Sequence, residues 1–171
     1  MGTTFNGGRF VLPPDVYETV NMPSVASTAI SVGDLLVLNA ATGKVEPVSK
    51  GTASYSDTVA NIGGAFVGIA LQGKLAADTS DGTPGYPTGT DGINIALSGI
   101  YSAQVTGAAS AIGSTVVGVV GSTGDNTVAI GSTAGSIIGQ LLQPKVGSGT
   151  ETLRVRLVGK LSALRAADFI P

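Results

Sequence analysis

An all-β fold, a compact pseudo-repeated β-barrel or sandwich, is predicted by three features of the chain. Short β-branched runs are parted by clusters of Gly, Asn, Asp and Ser, charge is scarce, and one motif occurs twice. Charged residues make up 12% of the 171, about half the usual share, and glycine supplies 26. Few charges and many turn formers favour short strands around one core, which a chain of this length is large enough to bury.

Residues 1–24 are expected to form an extended arm. Pro13 and Pro14 deny ladder donors and hold the backbone extended, and the apolar residues Phe5, Phe10, Val11, Leu12, Val16 and Tyr17 follow neither helical nor strand periodicity. An arm rich in apolar anchors needs a groove, on its own domain or on a neighbour. A β-domain follows over 25–160, with strands expected at Leu35–Leu38, Lys44–Val48, Ala65–Leu71, Ile93–Leu97, Ile100–Val105, Thr115–Val120, Thr127–Ile130, Ile137–Leu142 and Leu153–Val158. In the last, Leu153, Val155 and Leu157 alternate with Arg154 and Arg156, the period-two pattern of a half-buried strand. Leu35–Leu38 and Phe66–Leu71 are apolar at nearly every position, so both their faces should be covered. Two polar loops, 50–58 and 78–92, interrupt the strands, and a short docking tail over 161–171 contains Ser162, a residue suited to cap one helical turn.

The repeat joins residues 25–74 to residues 105–145. Val32-Gly-Asp-Leu-Leu-Val-Leu38 has its counterpart in Ile112-Gly-Ser-Thr-Val-Val117, with Gly33 and Gly113 80 positions apart. Phe66-Val-Gly-Ile-Ala-Leu-Gln-Gly-Lys74 matches Ile137-Ile-Gly-Gln-Leu-Leu-Gln-Pro-Lys145 at a spacing of 71, so the second copy has a shorter middle. A glycine kept inside the strand of both copies, Gly68 and Gly139, marks a bulge or a close backbone approach. Asp34 is matched by Ser114, so it reads as a turn cap and not as a ligand.

Chemistry is thinly equipped. The chain has no Cys and no His, which removes disulfides, thiolate metal sites and the commonest general base. The acids are scattered through turns, where Asp is favoured because it bonds nearby backbone, and no carboxylate pair can be named. Asp78, Asp81 and Asp91 crowd the long loop, a set open to calcium or to plain solvation, but the calcium-loop pattern is missing. No phosphate-loop motif is present, and a net charge of −2 offers nothing to nucleic acid or an anionic membrane. No signal peptide, membrane span, cofactor or catalytic activity is expected. A positive mean hydropathy of +0.38 with so little charge favours oligomerisation, which would hide apolar surface.

The order Val32-Gly-Asp-Leu-Leu-Val-Leu, Gly43-Lys-Val-Glu-Pro-Val48, Phe66-Val-Gly-Ile-Ala-Leu71, Ile95-Ala-Leu-Ser-Gly-Ile-Tyr-Ser-Ala-Gln-Val105, Ile112-Gly-Ser-Thr-Val and Leu153-Arg-Val-Arg-Leu157 resembles the capsid cement, or decoration, proteins of tailed phages over residues 30–160. The resemblance implies a β-tulip-like domain that forms a homotrimer on the outer face of a virion and bridges major capsid proteins. It implies that Phe5, Arg9, Phe10 and Tyr17 anchor the arm to a neighbouring chain. Arg154 and Arg156, the one tight basic pair on a strand face, belong either to a solvated face or to a partner contact with carboxylates such as Glu151. The alternative is a receptor-binding or adhesin β-module that recognises its target through loop 78–92.

Overall fold

A computed structural model describes residues 9–10, 18–25, 28–39, 41–48, 65–75, 92–119, 127–132 and 136–161. Among them run β1 (Arg9–Phe10), β2 (Thr19–Pro23), β3 (Leu35–Asn39), β4 (Lys44–Pro47), β5 (Phe66–Ala70), β6 (Gly92–Ala96), β7 (Ser98–Thr106), β8 (Thr115–Gly118), β9 (Thr127–Ile130), β10 (Ile137–Leu141) and β11 (Glu151–Val158). The fold is all-β, as its sequence predicts. The nine expected strands are β3 to β11, with ends that differ by at most two residues. β1 and β2 fall where an irregular arm was expected. Residues 19–23 form a full sheet strand, so what precedes the β-structure is shorter than 1–24. Pro23 hides this strand from pattern reading, yet it sits at the strand end, where a missing N–H is tolerated.

The strands form two units of like topology. The first sheet has the order β2-β6-β5-β3-β4, and the second has β7-β11-β10-β8-β9, with β1 added outside β7. Each sheet curls until its first and last strands meet in parallel. In the first unit a single bridge joins Ser24 to Val45, and in the second Gln104, Val105 and Thr106 lie beside Thr127, Val128 and Ala129. The position that opens the longer ladder, Gln104, is held by Pro23 in the first unit, which has no N–H to give.

The correspondence extends to individual hydrogen bonds. Gly33 N–H reaches Ala70 O at 2.8 Å and Gly113 N–H reaches Leu141 O at 2.9 Å, both glycines at positive φ (96° and 87°). Ile30 and Lys74 exchange a bonded pair, as do Ser110 and Lys145. Leu36 faces Gly68 while Val37 faces Phe66, which leaves Val67 as a bulge, and Val116 and Val117 treat Ile138 in the same way. Strand glycine is obligatory here: a Cβ on Gly68 would run into the carbonyl oxygen of Ala96, and one on Gly139 into that of Arg156.

Packing follows the alternation. Leu36, Val45, Val67, Ile93, Ile95 and Leu97 fill the first unit. Tyr101, Val116, Val128, Ile138, Leu141, Val155 and Leu157 do so in the second, and their cluster continues onto Leu35, Val37, Phe66 and Ile69, the opposite faces of β3 and β5. These two strands are therefore buried on both sides, which explains their unbroken apolar runs. Leu97 alone separates β6 from β7, and the β7–β11 ladder runs on across this junction through Gly159 N–H to Leu97 O (2.6 Å) and Lys160 N–H to Phe66 O (2.7 Å).

Gly68→Ala and Gly139→Ala should each lower stability by about 1–3 kcal/mol in urea unfolding, since a backbone carbonyl cannot swing aside as a side chain could. Gly149→Ala, with open space around the new methyl, should stay within ~0.5 kcal/mol of the parent. Equal midpoints for all three variants would contradict the bulge assignment.

Candidate interaction surface

Three of the polar side chains that the fold buries, Asp34, Lys74 and Lys145, hold turns. Asp34 accepts the Ser31 N–H at 2.7 Å, the turn cap its sequence position suggested. Lys74 and Lys145 stand at equivalent bridges and are both buried, an unusual place for lysine. The Lys145 ammonium donates to Gly147 O (2.7 Å), Gly149 O (2.6 Å) and Glu151 Oε1 (3.2 Å), using its three donors to pin the 147–151 turn. Lys74 reaches back to Val25 O (2.8 Å) and Thr28 O (3.4 Å). Their alignment is visible in sequence, but their clamp role is not, because a lysine before an apolar residue normally faces water.

Glu151 also accepts from Gly147 N–H at 2.6 Å, and this bond, with Lys145, holds its carboxyl below the usual range. The carboxylate suggested as a partner-chain contact for the arginines is thus also engaged within its own chain. Arg154 lies on the opposite strand face from Glu151, three residues away along β11, so the two do not meet within one chain. Arg154 instead lies opposite Ser102, which in turn pairs with Arg9 of β1, and its own N–H donates to Gln143 Oε1 at 2.9 Å. The Arg154 Nε is enclosed and meets no acceptor among the described residues. Arg156 lies opposite Ile100 and Gln140. The structure thus gathers Arg9, Arg154 and Arg156 on neighbouring rows of one sheet, and Phe10 pairs with Tyr101. Phe5 and Tyr17, loop 78–91 with its three Asp, and the tail from 162 lie outside the described residues.

What the described surface offers is apolar. Leu75 is 71% exposed and Val146 80%, and the two occupy equivalent positions directly after the clamping lysines. Ile112, 64% exposed, matches the half-buried Val32 beside the other glycine turn. Each unit therefore carries a pair of aliphatic knobs where a turn meets the end of the β5 or β10 strand. In the first unit the knobs border a shallow cleft of about 440 Å³ lined by Ala29, Ile30, Ser31, Val32, Gly73 and Lys74. Leu75, Ile112 and Val146 belong to neither core cluster, so packing does not require them to be aliphatic. Among the described residues no three His, Cys, Asp or Glu side chains cluster as a metal site would require. No protein-family model matches the chain, and no curated protein matches it.

Glu46 is the one described carboxyl raised above its ordinary value near 4.5, through burial and against the opposing Asn39 Nδ2 bond of 3.2 Å. A raised folded value means that the native state binds the proton more tightly than the unfolded chain does. Its stabilising contribution is complete below pH 4.5 and is lost as pH rises through the folded value. Glu46→Gln keeps an oxygen for Asn39 and removes this loss. Thermal unfolding of the variant should depend less on pH between about 4 and 7 than the parent's, with higher stability at pH 7. Identical pH profiles would refute a buried, desolvated Glu46.

Proposed function

We infer that this chain is a structural cement protein of a viral capsid, which binds the outer surface of the shell as an oligomer and braces contacts between major capsid proteins. The observation that carries the reading is the duplicated aliphatic surface: exposed Leu75 beside half-buried Val32 in one unit, and exposed Val146 with exposed Ile112 at the equivalent points of the other. A protein that meets a lattice of identical subunits gains by presenting like contacts twice, because the second contact forms at high effective concentration. Three of the described carboxylates, Asp34, Glu46 and Glu151, are committed to turns and strand ends, in keeping with a scaffold whose work is mechanical. The order of short motifs that resembles tailed-phage decoration proteins supports the same reading, and assembly as a homotrimer would triple the number of contacts.

Burying one Leu or Val side chain contributes ~1.5–3 kcal/mol. Val146→Asp should therefore weaken co-sedimentation with purified capsids of the encoding phage by about ten- to a hundredfold, and adding Leu75→Asp should weaken it further, with circular dichroism unchanged. Light scattering of the parent should give three times the 16.8 kDa chain mass. Undiminished binding by the double variant would refute the role of the knobs, and a 16.8 kDa species would refute the trimer.

A further inference from the structure

The two units differ in one respect that the duplication makes visible. In the second, the outer edge of β7 is covered from Tyr101 to Thr106, by β1 at Tyr101 and Ser102 and by β9 from Gln104 to Thr106. The equivalent edge in the first is that of β2, where Val20 and Asn21 stand for Tyr101 and Ser102. Beyond β6, β2 has no strand neighbour among the described residues until the Ser24 bridge. The bonding parity shows which groups face outward. Glu18 O accepts Leu97 N–H at 2.8 Å, so residues 18, 20 and 22 bond toward β6, and Thr19 and Asn21 turn both N–H and C=O to the other side. The core side registers the difference too. Val20 and Met22 are only half-buried, whereas their counterparts Tyr101 and Ala103 are 4% and 6% exposed.

We propose that the β2 edge at Thr19–Asn21 receives the N-terminal residues of a second copy of this chain as an added strand. The type of occupant is set by the second unit, where the same kind of edge takes a strand from the N-terminal region of this chain. The direction of β1 favours another copy over the chain's own end. β1 is antiparallel to β7, so the backbone enters it from the Gln104 side, where β9 already holds the edge, and away from Leu97 and the first unit. Eight residues precede Arg9 and span at most about 28 Å when extended. Thr3, Thr4 and Phe5 among them favour extended pairing, and Phe5 supplies an apolar side chain for the half-covered Val20 and Met22. An edge with no strand neighbour among the described residues is a template for a further strand unless something blocks it.

The chain has no cysteine, so an introduced pair reports cleanly. The doubly substituted Phe5→Cys/Met22→Cys protein, oxidised without capsids, should run on a non-reducing gel at multiples of 16.8 kDa. A monomer linked within itself would place the arm on its own edge, and a monomer with two free thiols would leave the edge empty; either overturns the proposal. Asn21→Pro removes an outward donor while sparing the β6 ladder, and should shift the native mass to one chain, whereas Asn21→Ala should not. A monomeric Asn21→Ala, or an oligomeric Asn21→Pro, contradicts strand addition. Capsid co-sedimentation of the parent is a separate measurement, so the capsid reading can fail while this one stands.

Discussion

A sheet of five short strands closes on itself only if one strand bends sharply, and in both units that bend is made at a glycine beside a bulge. Gly68 and Gly139 let the neighbouring backbone approach to a distance no Cβ permits, and the extra residues Val67 and Ile138 turn inward, fully buried. The rest follows from that bend. It brings β2 to β4 and β7 to β9, it sets the alternation that fills each interior, and it directs the following strand end toward the buried lysine and its exposed aliphatic neighbour. Gly159 completes the arrangement by seating the end of β11 against the first bulge, where a side chain would collide with Val67 O. The two units are thereby locked at one junction and not merely strung together.

Divergence between the units is as informative as their likeness. The second unit is the better sealed, with a three-residue closing ladder, β1 across its remaining edge, and Tyr101 filling the interior where the first has Val20. Pro23 shortens the closing ladder of the first. Lys74 and Lys145 keep one position and one buried charge but clamp different turns, before the unit in one case and after the strand in the other. What both units retain despite this drift is the exposed aliphatic residue after the lysine, Leu75 or Val146, which the cores do not require.

Strand positions were legible because β-branched runs between Gly and Asn clusters are a local signal. The repeat was legible where glycine and strand kept register, from Gly33 to Lys74. It was not legible in β6 and β11, which occupy equivalent places, because Ile93-Asn-Ile-Ala96 and Leu153-Arg-Val-Arg156 share an alternation but few residues, and the loops before them differ in length. Nor was β2 recognisable as the partner of β7, since a five-residue edge strand ending in proline has little periodicity to offer. For the candidate surface, the arginine pair is visible in the sequence, but only the fold shows that Lys145 takes Glu151 within the chain. The knobs went unread because an isolated Leu or Val in sequence looks like core.

As a proposed cement protein the chain would be a brace: an all-β scaffold in which Asp34, Lys74, Lys145 and Glu151 hold the protein's own turns while Leu75 and Val146 face outward at equivalent positions. Its value to a shell would lie in the added contacts that internal pressure must break. The most direct test compares the temperature at which packaged DNA is released, followed with an intercalating dye, for capsids with and without the bound protein. The account predicts release at a higher temperature when the protein is bound. Saturating binding that leaves the release temperature unchanged would contradict it.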